Sequence, residues 1–296
     1  MTMVGIIGCG QMGGGMWRNF KGKGQTAIVY DVREEATKPL AALGAPVAKS
    51  AKELASKANV IVTSLPTSHD VERAMFGRDG VVEGAKAGTT VIDTTSGHPL
   101  VTRSIAERLR EKGLRMIDCG VSGGPQGANA GTLRIMLGGE SAAIEEHMAT
   151  IKLLGSEIHH CGAVGAGHAM KTLLNLRNQV VNTVTAEVLL IGAKFGLDPK
   201  LVGQVVGASG VFNSYIMNPQ GRKAIGFGIG LASKDYDVAM SLANDLGVTA
   251  LLSSTGQQIF RAVKHDQGAD ADVFSFVNTL EDWAHFNLPG RNETAK

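Results

Sequence analysis

The chain has 296 residues, of which 44% are hydrophobic, so it is long enough to form more than one packed domain. Its 29 basic and 27 acidic residues give a formal net charge of +2. This balance gives no basis for nucleic-acid binding, which needs Lys and Arg clustered on one face. No apolar stretch is long enough to span a bilayer, and an apolar run that begins at Val4 leaves no room for a targeting peptide. We therefore expect a cytoplasmic protein without nucleic-acid or membrane partners.

The three cysteines, Cys9, Cys119 and Cys161, are far apart in the sequence. They show neither a metal-binding spacing nor a CxxC pair, and an odd number of separated cysteines favours reduced thiols. We expect no metal site.

The first part of the chain, residues 1–162, alternates short apolar runs with amphipathic stretches. Runs rich in β-branched residues and without polar alternation indicate strands that are covered on both faces. Helical segments separate several of them, as at Pro99–Lys112. This pattern predicts an α/β fold with a Rossmann-type, doubly wound and mostly parallel sheet. The runs are Val4–Gly8, Ala27–Asp31, Val60–Leu65, Thr90–Asp93, Met116–Asp118 and Ile135–Leu137.

The second part, residues 163–296, has a different periodicity. Apolar residues recur at helical spacing from Met170 to Ile191, which predicts one long interdomain helix. Asp198-Pro199 has the residues of a helix start, and three further amphipathic segments follow. The sequence therefore predicts an all-α C-terminal domain.

A glycine-rich turn follows the first predicted strand and opens a helix. It reads Gly8-Cys9-Gly10-Gln11-Met12-Gly13, a G-x-G-x-x-G in the context that dinucleotide binding requires. Gly8 permits a tight turn, Gly10 lets the backbone approach a pyrophosphate, and Gly13 lets the helix pack on the strand. We expect these residues, with Gln11 and Met12, to bind the cofactor. The alternative is a glycine-rich turn without a ligand.

Asp31 ends the second strand, near the expected distance of about 20 residues after the motif. A carboxylate there binds the ribose hydroxyls and repels a 2′-phosphate, which favours NAD. Arg33 favours NADP, because its guanidinium can pair with a 2′-phosphate. The alternative is that Arg33 is a solvated surface charge. NAD is therefore the expected cofactor, with NADP as the alternative.

Two further loops leave the carboxyl ends of parallel strands, where doubly wound folds bind their ligands. The first contains Leu65 and Pro66, and the second contains Thr95 and Ser96. We expect these residues on the nicotinamide side of the cofactor. The alternative for Thr95 and Ser96 is that they cap the helix that begins at Pro99.

The candidate chemical groups lie at two places. Ser122, Gly123 and Gly124 form a second glycine-rich turn whose hydroxyl and N–H groups can hold a carboxylate; the alternative is an ordinary loop. Lys171 and Asn175 stand four residues apart, on one face of the long helix. A desolvated lysine has a lowered pKa and can shuttle protons, whereas the alternative is a surface lysine. The sequence names further, weaker candidates in His98 and His168, whereas structural roles are favoured for His159 and His160.

These motifs, taken together, resemble the β-hydroxyacid dehydrogenases, the family of 3-hydroxyisobutyrate dehydrogenase and tartronate semialdehyde reductase. The resemblance covers the whole chain. Besides the motifs above it includes Gly131-Thr132-Leu133, Gly165-x-Gly167 ahead of Lys171, and Lys234-Asp235. It implies that Ser122, Gly123 and Gly124 bind the substrate carboxylate. It also implies that Lys171 is the general acid/base with Asn175 assisting, that Lys234 lies near substrate or nicotinamide, and that the protein forms homodimers or homotetramers.

The sequence departs from the family pattern at Leu174, at Gly97-His98 and at Phe212-Asn213-Ser214. We expect all three departures near the substrate. The expected function is hydride transfer between NAD(P) and a small 3-hydroxy acid or its semialdehyde. Alternatives are an imine reductase-like enzyme, which Lys171 argues against, and a non-catalytic dinucleotide-binding scaffold.

Overall fold

The computed structural model describes residues 3–218, 221–222 and 227–291. The chain divides into two compact units, Met1–Thr172 and Leu173–Lys296. The domain boundary predicted after residue 162 lies at the end of the last strand, whereas the division between the units falls inside a helix. That boundary stays a prediction.

The first unit alternates strands and helices along the chain. Its strands form one seven-stranded sheet in the order β2-β1-β3-β4-β5-β6-β7, with every neighbouring pair parallel except β5 and β6. The predicted Rossmann-type fold is therefore confirmed. The elements are β1 Val4–Ile7, α1 Gln11–Gly22, β2 Ala27–Tyr30, α2 Glu34–Ala41, α3 Ala51–Lys57, β3 Val60–Thr63, α4 Ser68–Phe76, α5 Val81–Gly84, β4 Thr90–Asp93, α6 Pro99–Glu111, β5 Arg115–Ser122, α7 Gly124–Ala130, β6 Leu133–Gly138, α8 Ser141–Leu154 and β7 Gly155–Gly162.

The inner strands β1, β3 and β4 are buried along their whole length because both faces of the sheet carry a core. Ile6 and Ile7 are neighbours in β1, yet they belong to separate buried clusters. The same alternation holds for Ile61 and Val62 in β3. Each such side chain contributes about 1.5–3 kcal/mol through burial, so the apolar runs specify the layer arrangement.

The edge strand β7 differs from the six apolar runs that predict the other strands. Most of its residues are exposed or half-buried, and they include Glu157, His159 and His160. Hydrophobicity therefore gives little sign of this strand, which is held by parallel pairing with β6.

The second unit is helical, as expected. Asp198 caps α10 by accepting a hydrogen bond from the backbone N–H of Lys200 at 2.9 Å, as the Asp-Pro pair predicts. None of the helices in the described ranges combines the length and hydropathy of a transmembrane segment. The elements are α9 Ala166–Phe195, which begins in the first unit, α10 Pro199–Val205, α11 Gly210–Ile216, α12 Ile229–Asp245, α13 Leu251–Gln267, a 3₁₀ turn Val273–Ser275 and α14 Phe276–Ala284.

Phe212 lies in the core of the second unit, and the expectation that the segment Phe212-Asn213-Ser214 lies near the substrate stays a prediction. It is fully buried and packs edge-on against Phe274 at 5.0 Å and stacked with Phe276 at 6.0 Å between ring centroids. Aromatic pairs of this kind stabilise a core beyond the area that they bury. The short helix α11 also buries Tyr215 and Ile216, which lie three and four residues after Phe212 and therefore on the same face of the helix.

A buried ion cluster fixes the end of the second unit. Glu281 is fully buried and accepts two hydrogen bonds from Arg222, at 2.6 and 2.7 Å. It also accepts the backbone N–H of Leu288 at 2.8 Å, and Arg291 lies 3.4 Å from its second oxygen. The carboxylate is therefore satisfied on both oxygens, which is the condition under which a buried charge is tolerated.

Candidate cofactor and substrate site

The three glycines of the first turn differ in what surrounds them. Gly8 has a φ of +95°, and an added Cβ there would lie 2.2 Å from the carbonyl oxygen of Ser64. At Gly13 a Cβ would lie 1.9 Å from the carbonyl oxygen of Gly8. At Gly10, by contrast, no described atom outside its own stretch of chain lies within 4 Å of an added Cβ, and the φ of −66° suits any residue. The fold therefore requires Gly8 and Gly13, whereas Gly10 leaves open space for a ligand at the start of α1.

A cavity of about 710 Å³ opens beside Gly10. Its lining includes Cys9 and Gln11 from the turn, Arg18 from α1 and Arg33 from the loop after β2. Met12 points away from it and packs against the core. Backbone N–H groups at a helix start and two guanidinium groups suit an anionic ligand, and the volume is that of a cofactor pocket.

Asp31 connects β2 to the glycine-rich turn. Its Oδ2 accepts the backbone N–H of Cys9 at 2.8 Å, and its Oδ1 accepts the backbone N–H of Arg33 at 2.9 Å. The Arg33 side chain is 70% exposed, and its Nε lies 3.7 Å from Oδ1. The carboxylate is thus held in place, while the arginine beside it is available to solvent.

The loops after β3 and β4 are bonded to each other. The hydroxyl of Thr95 accepts the backbone N–H of Leu65 at 3.1 Å. Oδ1 of Asp93 accepts the hydroxyl of Thr63 at 2.7 Å and the backbone N–H of Thr95 at 3.0 Å. No side chain caps α6, so the alternative of a helix cap does not describe Thr95. Next to these residues, Pro66 is exposed and Ser96 is half-buried.

One face of β5 supports the start of α9. Asp118, Gly120 and Ser122 lie two residues apart and therefore face the same side of the strand. A Cβ added to Gly120 would lie 2.7 Å from the Cβ of Lys171. The first turns of α9 therefore pack directly on this face. Lys171 lies beside Gly120, which is two residues before Ser122.

The turn after β5 has an unusual backbone. Gly123 and Gly124 have φ values of +130° and +62°, which L side chains rarely adopt. Behind them, the side chain of Asn129 in α7 donates to the carbonyl oxygen of Pro125 at 2.8 Å. The turn is therefore braced, and it presents Ser122 and consecutive backbone N–H groups at the end of the strand.

Asn175 and Lys234 share one partner within the second unit. The amide nitrogen of Asn175 donates to Oδ2 of Asp235 at 2.7 Å, and Nζ of Lys234 lies 3.9 Å from its Oδ1. Asp235 is buried and therefore orients the Asn175 amide. Asp235 lies outside the predicted site and contacts two members of it. Its only signal in the sequence is its place beside Lys234.

The histidines of the first unit are mostly engaged. His168 is buried, with Nε2 donating to the carbonyl oxygen of Asp93 at 3.0 Å and Nδ1 lying 2.8 Å from the hydroxyl of Thr102. His159 contacts Glu157 at 3.1 Å, and His160 contacts the carbonyl oxygen of Gly139 at 3.0 Å. In the described part of the chain, no group of three or more His, Cys, Asp or Glu side chains could hold a metal ion.

Two protein-family models match the chain. Residues 3–162 match the NAD binding domain of 6-phosphogluconate dehydrogenase. Residues 165–280 match the domain described as NAD-binding of NADP-dependent 3-hydroxyisobutyrate dehydrogenase. The turn with its open Gly10 lies within the first of these matches.

Known proteins resemble the chain over nearly its full length. The 2-(hydroxymethyl)glutarate dehydrogenase of Eubacterium barkeri is 34% identical over 294 residues, which is 97% of each chain. The mitochondrial 3-hydroxyisobutyrate dehydrogenase of Bos taurus is 33% identical, over 95% of this chain and 88% of its own. The structure of Mycobacterium tuberculosis 3-hydroxyisobutyrate dehydrogenase with L-serine is 29% identical, with a TM-score of 0.86 over 95% of this chain and 99% of that one. The chain belongs to the β-hydroxyacid dehydrogenases, a family of NAD(P)-dependent oxidoreductases.

Proposed function

We propose that this chain transfers a hydride between NAD(P) and a small 3-hydroxy acid, with Lys171 as the general acid/base. The observation that carries the proposal is the contact of Lys171 with Gly120, two residues before Ser122 on the same face of β5. This contact puts an amine-bearing residue next to a turn that suits a carboxylate. A proton-transfer group and an anion site side by side are what a hydroxy acid dehydrogenase needs.

The roles follow from the groups available. Ser122, Gly123 and Gly124 bind the substrate carboxylate, and Lys234 adds positive charge near substrate or nicotinamide. Lys171, in its neutral form, takes the proton from the 3-hydroxyl during oxidation and returns it during reduction. Asn175, oriented by Asp235, assists by hydrogen bonding. Bound NAD(P) supplies the hydride acceptor or donor, while the protein supplies position and electrostatics.

We propose NAD rather than NADP as the preferred cofactor. Gly8, Gly10, Gln11, Met12 and Gly13 form the pyrophosphate site, with Leu65, Pro66, Thr95 and Ser96 on the nicotinamide side. A fixed carboxylate at Asp31 suits two ribose hydroxyls and opposes a 2′-phosphate. The exposed Arg33 is the feature that favours NADP.

The substrate class is suggested by the compounds named with the relatives. 3-Hydroxyisobutyrate, 2-(hydroxymethyl)glutarate and L-serine all carry a CH₂OH group on the carbon next to a carboxylate. They differ in the second substituent of that carbon. We propose that this chain accepts the shared CH₂OH–CH–COO⁻ unit, and that residues outside the Ser122 turn select the second substituent.

The test is cofactor reduction with a panel of acids. The panel contains 3-hydroxyisobutyrate, 2-(hydroxymethyl)glutarate, L-serine, glycerate and 3-hydroxypropionate, each with NAD and with NADP. 4-Hydroxybutyrate, in which the hydroxyl is one carbon further away, serves as the matched control. Turnover of panel acids but not of the control supports the proposal. Cofactor binding without turnover of any acid would favour the alternative of a non-catalytic scaffold.

We further propose a homodimer or homotetramer, located in the cytoplasm, with a cofactor domain over 1–162 and a substrate domain over 163–296. Large apolar side chains of the second unit, 63% to 83% exposed, support self-association: Phe195, Val205, Leu251, Leu252 and Trp283. Light scattering coupled to size exclusion tests the assembly, and a monomer would contradict it.

A further inference from the structure

The start of α9 is capped by a carboxylate that lies in the middle of the sheet. Asp118 of β5 is 0% exposed. Its Oδ1 accepts the backbone N–H of Gly165 at 2.6 Å, and its Oδ2 accepts that of His168 at 2.7 Å. These bonds satisfy N–H groups that the helix itself leaves without partners, and the negative charge opposes the positive end of the helix dipole. The cap comes from a distant strand, so it ties the helix to β5.

A second anchor ties the same turn to two other elements. The His168 ring is 1% exposed and donates from Nε2 to the carbonyl oxygen of Asp93, the last residue of β4. Its Nδ1 lies 2.8 Å from the hydroxyl of Thr102 in α6. Both polar ends of one buried ring are therefore engaged, and the ring orientation is fixed.

Between these anchors, the helix backbone rests directly on the sheet backbone. A Cβ added to Gly167 would lie 2.3 Å from the carbonyl oxygen of Met136 and 2.8 Å from the backbone nitrogen of Gly138. No layer of side chains separates the two elements here, so no flexible group can absorb a shift. The helix is thereby held in one position along the strand.

We propose that Asp118 and His168 are positioning residues that set Lys171 against the Ser122 turn. Lys171 follows Gly167 by four residues and lies on the same side of α9, where it contacts Gly120. Asp118, Gly120 and Ser122 share one face of β5, so the strand that caps the helix also carries the turn. This inference rests on the proposed role of Lys171.

The experiment uses two variants that each weaken one anchor and keep the residue shape. Asp118→Asn replaces one accepting oxygen by an NH₂ group that faces a backbone N–H. Thr102→Val removes the hydroxyl beside Nδ1 of His168. Since a displacement of about 1 Å in a reacting group can cost on the order of 100-fold in rate, we expect Asp118→Asn to lower kcat about 10- to 100-fold and Thr102→Val to lower it less. The Kd for NADH should stay within about two-fold of wild type, and the substrate deuterium isotope effect on kcat should rise.

Ser50→Ala is the matched control, because it removes a helix cap, the hydroxyl that accepts the N–H of Glu53, elsewhere in the same unit. It should lower the unfolding temperature and leave kcat and the isotope effect unchanged. If both test variants behave like this control, the inference is wrong. Lys171→Ala, measured in parallel, separates the two claims. Wild-type kcat in Lys171→Ala would overturn both, whereas an inactive Lys171→Ala with normal kcat in both test variants would overturn this inference alone.

Discussion

The backbone N–H of Cys9 donates a 2.8 Å hydrogen bond to the carboxylate of Asp31, so the end of β2 holds the glycine-rich turn that follows β1. The same carboxylate is the group expected to meet the adenosine ribose. Asp31 therefore holds the turn in shape, and we propose that it also selects the cofactor. Variants at this residue and its neighbour can separate the two effects.

Asp31→Asn should weaken NADH binding about 10- to 100-fold, because a hydrogen bond to a charged group contributes about 1.5–3 kcal/mol. Loss of the charge should also narrow the preference for NADH over NADPH. Fluorescence titration with both cofactors measures the two Kd values. Arg33→Ala is the matched variant: it keeps the backbone N–H that Asp31 accepts, so it should leave NADH binding unchanged and weaken NADPH binding. Weaker binding of NADH alone in Arg33→Ala would contradict the assignment.

Gly10→Ala and Gly13→Ala should change different properties: the first should weaken cofactor binding, and the second should destabilise the fold. The added methyl at Gly10 meets open space, so we expect the unfolding temperature to stay the same while the Kd for NADH rises at least about ten-fold. The methyl at Gly13 meets the carbonyl oxygen of Gly8 and should destabilise the fold. Thermal unfolding and NADH titration of both proteins test this pair. Unchanged NADH affinity in Gly10→Ala would argue against a pyrophosphate at this turn.

Features that depend on local contacts or on buried strands can be predicted from the sequence. The glycine spacing predicts the turn because Gly8 and Gly13 are required by local contacts, and apolar runs predict β1 to β6 because both sheet faces are buried. The edge strand β7 is hard to predict in this way because it is largely exposed, and the helix α11 because it is only 7 residues long. The sequence also does not predict the hydrogen bonds of Asp118 with Gly165 and of Asp235 with Asn175, because the partners are 47 and 60 residues apart in the chain.

Glu281→Ala should lower the free energy of unfolding by about 3–5 kcal/mol, because it leaves the guanidinium of Arg222 buried without its partner. Urea unfolding measures this loss. Glu107→Gln, which breaks an exposed pair with Arg110, is the control and should leave the midpoint unchanged. Similar midpoints for the two variants would mean that the buried cluster does not stabilise the second unit.

The thiols should react in an order set by burial. Burial and the nearby Asp31 raise the pKa of Cys9 to about 12. Burial also raises the pKa of Cys119, which is buried, and the pKa of Cys161, which is half-buried. Because the thiolate is the reactive form, native protein at pH 7.5 should be alkylated by iodoacetamide first at Cys161, and at Cys9 and Cys119 only after unfolding. Mass spectrometry of the labelled peptides identifies the order. Early labelling of Cys9 would contradict it.

His147 should contribute to acid sensitivity. Burial lowers its pKa below the usual value, and Nε2 lies 2.9 Å from the hydroxyl of Thr90. The unfolded chain therefore binds this proton more readily than the folded one, so stability is complete above about pH 6.5 and falls as the pH drops. Urea midpoints at pH 7.5 and 5.5 should differ less in His147→Gln than in wild type. An equal difference would show that another group governs the acid response.

We propose that Lys171 moves the proton, and turnover of Lys171→Ala together with its NADH affinity tests this role. We expect kcat to fall at least about 100-fold, in line with loss of general acid–base catalysis, while the Kd for NADH and the unfolding temperature stay near wild type. Lys171→Arg, which keeps the charge but cannot give up its proton, should be equally inactive. Turnover near the wild-type rate in either folded variant would show that Lys171 is not the general acid/base.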